Sequence, residues 1–149
     1  MKRTLIFQNV NETHAFARTL AAHVTPGFVL SLNGDLGAGK TTFVKAFFAA
    51  LGLKDTVNSP TFTLYKLYDH QPPLIHVDAY RIEDESMAYE MDEVFDDASI
   101  TVIEWASNVP SYLPKDHLEL TLTWLSEVKR HVEVVAHGNT KALLFKLMD

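Results

Sequence analysis

Gly34-Asp-Leu-Gly-Ala-Gly-Lys-Thr-Thr42 decides the fold. The stretch fits G-x-x-x-x-G-K-[ST], the loop that wraps phosphates in nucleotide triphosphatases. Gly34, Gly37 and Gly39 let the backbone curl, so that successive N–H groups point inward at phosphate oxygens. Lys40 brings a positive charge to the β- and γ-phosphates, and the Thr41 hydroxyl offers one coordination position to Mg²⁺. The flanks suit such a loop. Phe28-Val-Leu-Ser-Leu32 is a short apolar run that reads as a buried strand. Phe43 to Leu51 is apolar at helical spacing and stops at Gly52. A helix N-terminus under the loop adds its partial positive charge.

The rest of the chain bounds the answer. At 149 residues, one domain spanning 1–149 is expected, with about two thirds of the unfolded surface buried. There is no cysteine, which excludes disulfides and thiolate metal sites and fits a reducing, cytoplasmic setting. The start, Met1 to Phe7, lacks the apolar region of a signal peptide, and no run is long enough to span a membrane. A net charge of −6 argues against this chain gripping DNA or RNA itself, because such affinity comes mostly from Lys and Arg on phosphates. A role around nucleic acid should therefore run through a partner.

Outward from the loop, the pattern predicts a strand over 4–8 and a helix capped by Asn11 or Thr13, with Phe16, Leu20 and Val24 on its apolar face. Thr61 to Tyr68 alternates and Leu74 to Tyr80 runs back after Pro72-Pro73, which predicts a hairpin. Residues 82–97 hold eight carboxylates and no Lys or Arg, and suit a short helix over 86–91 plus a loop. Residues 100–105 read as a buried strand, 118–124 and 132–136 as a second hairpin, and 142–148 as a closing helix. The sum is an α/β fold of the P-loop NTPase kind, three-layered, with a mixed parallel and antiparallel sheet.

A phosphate loop alone only binds. Turnover also needs Mg²⁺ held from the far side and a group that orients water. Two apolar strands end in acids beside the loop: 100–103 in Glu104 and 74–77 in Asp78. Ser59-Pro-Thr-Phe62 lies where switch proteins keep the segment that reads the γ-phosphate, so the Ser59 and Thr61 hydroxyls are candidates for phosphate or metal, against the alternative of an ordinary turn. Trp105 can pack on the nucleotide base or in the core. The seven histidines show no metal-binding spacing, and only His76, two residues before Asp78, shares a face with an acid of the site.

In order along the chain, residues 34–42, Ser59-Pro-Thr-Phe62, His76-Val-Asp-Ala-Tyr-Arg81 and Ile103-Glu-Trp105 resemble the bacterial TsaE (YjeE) ATPase family of transfer-RNA threonylcarbamoyladenosine synthesis. The match covers the first two thirds of the chain; beyond Trp105 only general strand pattern agrees. The resemblance implies a cytosolic, Mg²⁺-dependent ATPase, weak alone, that binds ATP and ADP. It implies TsaD and TsaB as partners. These modify the adenosine next to the anticodon, so transfer RNA is met only through the complex, and ATP turnover resets that complex between cycles. It implies that Gly34, Asp35, Leu36, Gly37, Ala38, Gly39, Lys40, Thr41 and Thr42 hold phosphates, with Ser59 and Thr61 as a switch. Thr41 and Glu104 would hold Mg²⁺, Asp78 would orient water, and Lys40, Asp78 and Glu104 would carry catalysis. Trp105 would lie near the nucleotide, with Asn11 and Ser107 walling the base. The acidic 82–97 stretch is either a docking surface for the partners or a solvated face.

Two other readings compete. A non-hydrolytic module would report nucleotide state. A small-molecule kinase would need an acceptor pocket and several arginines, whereas the chain has four, with only Arg81 in the motif region. A GTPase is disfavoured because the guanine-reading Asn-Lys-x-Asp pattern is absent.

Overall fold

Unbroken apolar runs and alternating runs become strands, and segments of helical period become helices. The computed structural model describes residues 1–60, 63–93 and 95–148. Within them the chain runs β1 (Lys2–Phe7), α1 (Val10–Ala21), β2 (Val29–Asn33), α2 (Lys40–Ala50), β3 (Tyr65–Tyr68) and β4 (Leu74–Asp78). A 3₁₀ helix (Glu85–Glu93) follows, then β5 (Ile100–Glu104) and two 3₁₀ turns (Ala106–Asn108 and Pro110–Tyr112). The chain closes with β6 (His117–Trp124), β7 (Arg130–His137), a 3₁₀ turn (Gly138–Thr140) and α3 (Lys141–Met148).

The seven strands form one sheet in the order β1-β7-β6-β2-β5-β4-β3. β2 lies at its centre, parallel to both β5 and β6, and β4 extends the parallel set beyond β5. β5 is buried along its whole length, as expected of a parallel strand covered on both faces. The hairpin partners β3 and β7 run antiparallel, which makes the sheet mixed as expected from sequence.

One face of the sheet carries α1, α2 and α3. There Phe16 and Leu20, Phe43, Phe47 and Phe48, and Leu144 pack on Leu30, Leu32, Leu118, Leu120, Val132 and Val134. The other face buries Ile75, Val77 and Ile103 under Ala88, Met91, Ala106 and Val109, so this third layer is built from 3₁₀ turns. α2 opens at Gly39 without a side-chain cap. Its three fully buried phenylalanines, each worth roughly 1.5–3 kcal/mol, hold it in place instead.

Several sequence expectations are corrected. The cap of α1 is Asn9, whose side chain accepts from the Glu12 amide at 3.1 Å, because Asn9 is the extended residue at the boundary. Asn11 lies inside the helix, and Thr13 turns into the core. β1 begins at Lys2 and stops at Phe7, matching β7 from Val135 to Arg130. Of the alternating run before the first hairpin, only Tyr65–Tyr68 pairs as strand, and Thr61 and Phe62 lie outside the described residues. The second hairpin, the closing helix and a helix in the acidic stretch form as expected, the last as 3₁₀.

The glycine loop is fixed to the sheet by a close approach. A Cβ on Gly34 (φ +144°) would sit 2.4 Å from the Leu122 carbonyl oxygen of β6, whereas a Cβ on Gly37 (φ +80°) meets nothing within 4 Å. Gly34→Ala should therefore cost clearly more than Gly37→Ala, which carries only the left-handed penalty of about 1–2 kcal/mol. Urea unfolding midpoints of the two variants measure the difference; equal losses would mean that β6 yields to the added methyl.

Candidate nucleotide and metal site

Parallel pairing sets the heights of the site's acids. Leu32 of β2 stands opposite Glu104, and Glu104 stands opposite Asp78. Glu104 and Asp78 close their strands, and Leu32 stands one residue before the end of β2, at the carboxyl edge of the sheet, where open α/β folds bind ligands. Alternation then puts Glu104 on the face of Ile100 and Val102, and Asp78 on the face of Leu74 and His76. That face lies under α2, whose first turn delivers Lys40 and Thr41.

Glu104 is the hub. It is only 2% exposed, and its Oε1 accepts from Thr41 Oγ1 at 3.3 Å. Ser59 Oγ lies 3.0 Å from Thr41 Oγ1 and 3.5 Å from Glu104 Oε2. The second oxygen also meets Nε2 of the fully buried His76 at 2.5 Å. A buried carboxylate needs such partners. Two hydroxyls and a carboxylate form a hard oxygen donor set, the chemistry that suits Mg²⁺. His76 approaches from behind and orients the carboxylate, as outer partners orient metal ligands.

Lys40 is turned onto its own loop. Its Nζ donates to the carbonyls of Gly34 at 2.5 Å and Asp35 at 2.9 Å, and lies 4.3 Å from the Trp105 ring centroid. Burial pulls its pKa below the ordinary lysine value, against the opposing pull of Glu104, Asp78 and Asp35. Burial likewise raises Asp78, although its Oδ1 accepts from the Tyr80 amide at 2.9 Å. Trp105 adopts a left-handed backbone (φ 57°), donates its amide to the Leu32 carbonyl at 2.9 Å, and packs on Tyr80 at 5.0 Å between ring centroids.

A cleft of about 440 Å³ brings together Leu36, Gly37, Gly39, Lys40, Thr41, Thr42, Ser59, Asp78, Glu104 and Trp105. Of the other expected loop residues, Asp35 is exposed and Ala38 is buried beneath the loop. Asn11 and Ser107 do not line this cleft. Asn11 is exposed on α1, and the Ser107 amide is spent on Asn33 Oδ1 at 3.0 Å, where it pins the turn after β5. Thr61 lies outside the described residues.

Sequence reasoning missed Arg130 and the wall beside it. Arg130 Nε donates to the Ala38 carbonyl at 2.9 Å, and its side chain borders the cleft. A second hollow of about 280 Å³ shares Gly39, Thr42 and Arg130 with the first, and is walled by Asn9, Val10, Thr13 and Val128. No local signal marks Arg130, because 92 residues separate it from its partner.

Comparison with known proteins bears on the family and the fold. Residues 7–132 match the family model "TsaE: Threonylcarbamoyl adenosine biosynthesis protein TsaE". The chain is similar to the "tRNA threonylcarbamoyladenosine biosynthesis protein TsaE" of Bacillus subtilis (strain 168), with 44% identity over 91% of this chain and 87% of that protein. It is also similar to the protein of the same name from Nostoc sp. (strain PCC 7120), with 36% identity over 81% of this chain and 78% of that one. In structure it resembles B. subtilis YdiB, with a TM-score of 0.84 and 35% identity, covering 99% of this chain and 95% of that chain.

Two substitutions test the electrostatics. His76→Ala leaves the buried Glu104 without its inner partner and should cost about 1–3 kcal/mol in urea unfolding. It should also weaken Mg²⁺-dependent nucleotide binding by roughly 10–100-fold. Asp78 has a folded pKa above its unfolded value, so its favourable share is complete below the unfolded pKa and is lost as pH rises through the folded one. Asp78→Asn should therefore stabilise the free protein at neutral pH by about 0.5–2 kcal/mol. That gain should shrink as pH falls through the folded value; thermal melts at several pH values read it directly.

Proposed function

The chain belongs to the family of the threonylcarbamoyl adenosine biosynthesis protein TsaE, and on that premise we propose that it is a Mg²⁺-dependent P-loop ATPase serving transfer-RNA threonylcarbamoyladenosine synthesis. The observation that carries this reading is the convergence of Thr41, Ser59 and Glu104 beside the glycine loop, with Asp78 at the same height on the next strand.

In this reading the loop amides and Lys40 hold the phosphates, and Lys40 leaves the Gly34 and Asp35 carbonyls to reach them. Thr41 and Glu104 would hold Mg²⁺, which would supply neutralisation of phosphate charge. Asp78 orients the attacking water. Its raised pKa suits a group that receives a proton late in the step. Trp105 flanks the phosphates, and the hollow between Asn9, Val10 and Val128 takes the adenine in place of the Asn11 and Ser107 walls expected from sequence.

The protein acts in the cytoplasm with TsaD and TsaB, and ATP turnover resets their complex. The net charge of −6 favours contact with transfer RNA through those partners. Among the described residues no helix is long and apolar enough to cross a membrane. The acidic stretch offers exposed Glu83, Glu90 and Asp92 for docking. Glu85 is committed instead to the amide and hydroxyl of Ser111, at 2.8 and 2.6 Å.

One observation favours the kinase reading. A hollow of about 350 Å³ adjoins Asp78 and Ser59 and contains Arg81, as an acceptor pocket would.

Phosphate release from Mg²⁺-ATP, measured alone and with TsaB and TsaD, tests the proposal. Slow release alone that rises with the pair is expected. Nucleotide binding without release in either mixture would leave only a nucleotide-state module, and phosphate found on an acceptor would make the protein a kinase. Asp78→Asn should keep nucleotide affinity and lose about 10²–10⁴-fold in rate, whereas Glu104→Gln should lose Mg²⁺-dependent affinity.

A further inference from the structure

His117 opens β6 and His137 closes β7, and the antiparallel register sets the two opposite each other. Glu119, two residues along β6, shares their face of the sheet. No local spacing marks this trio, because His137 is 20 residues from His117 and meets it only through the hairpin. One donor atom from each of the three lies within 4.8 Å of the others. The trio lies at the amino end of β6. β6 is parallel to β2, so this is the end of the sheet remote from the glycine loop.

The His117 ring has the dressing of a metal ligand. Its Nδ1 meets the Pro114 carbonyl at 2.7 Å, which assigns the ring proton to Nδ1 and the lone pair to Nε2. That Nε2 is buried and has no hydrogen-bond partner, in a residue only 7% exposed. An orphaned buried nitrogen is costly unless something fills its lone pair. His137 Nε2 stands 3.0 Å from Glu119 Oε1. Two donors about 2.1 Å from one ion lie about 3.0–3.4 Å apart, for right-angled to tetrahedral geometry, so this pair already has a suitable spacing. The side chains of His137 and Glu119 are 39% and 30% exposed, which leaves a path for an ion. The imidazoles stack at 4.3 Å between centroids with planes 16° apart, and ligation requires a modest splay of the two rings.

We propose that His117, Glu119 and His137 form a site for one borderline divalent transition ion, with Zn²⁺ its chemical type, remaining positions being filled by water. Two imidazoles and one carboxylate suit zinc and disfavour Mg²⁺, which prefers an all-oxygen set. The site is thus separate in place and in metal preference from the oxygen donors of Thr41, Ser59 and Glu104.

The test titrates Zn²⁺ into the untagged full chain by calorimetry, with excess Mg²⁺ and ATP present to occupy the loop site. Co²⁺ then reports ligand geometry through its visible absorption. One Zn²⁺ per chain is expected. His117→Ala, Glu119→Gln and His137→Gln should each weaken it by at least roughly 10–100-fold, while His23→Gln leaves it unchanged. Zn²⁺ should raise the urea midpoint of the native chain and not of the three variants. Should His117→Ala fail to fold, the two half-exposed positions still decide. No saturable uptake by the native chain, or uptake untouched by Glu119→Gln and His137→Gln, overturns the proposal.

Discussion

A carboxylate enclosed in protein and cut off from water must find its own partners, and Glu104 organises the whole carboxyl edge of the sheet by that need. His76 meets one of its oxygens from below, and Thr41 meets the other from the first turn of α2. These contacts require β4, β5 and the start of α2 to end within hydrogen-bond reach of one another. The parallel register supplies that for the two strands, and the phenylalanine face of α2 supplies it for the helix. Ser59 then joins from the connection that leaves the helix. The fold and the site are therefore one construction: the core sets the heights, and the acid ties the ends.

The loop depends on this frame in a second way. Gly34 is pressed against β6, and Arg130 grips the Ala38 carbonyl from β7. The loop is thus braced from the hairpin on one side and from β5 on the other. If the loop holds phosphates as proposed, bracing on both sides would keep its amides aimed without a ligand present, which is what electrostatic preorganisation requires.

Legibility in the sequence followed the range of the interactions. The glycine loop, its strand and its helix are local, and so was their signal. Glu104 and Asp78 were legible because an acid after an apolar run marks a strand leaving the core. What pairs them is a register that no single segment contains. His76 was visible only as a face-mate of Asp78, whereas its bond goes to the neighbouring strand. Arg130 and Val128 reach the loop through a hairpin far along the chain, so periodicity could not place them. Asn11 and Ser107 fall outside the cleft: helical phase turns Asn11 outward, and Asn33 holds Ser107. The His117–His137 pair was invisible for the same reason as Arg130.

Lys40 gives the resting loop an occupant of its own. With its ammonium on the Gly34 and Asp35 carbonyls and its charge over the Trp105 ring, the loop closes on an internal cation instead of waiting open. If the loop binds a triphosphate as proposed, the ligand would displace those contacts before gaining the lysine. Part of the intrinsic binding energy would then be forfeited on entry, and the same contacts would re-form on exit. Such a self-occupied cradle would trade affinity for rapid exchange. On the proposed reading it would behave as a timer that resets easily and not as a trap that retains spent nucleotide.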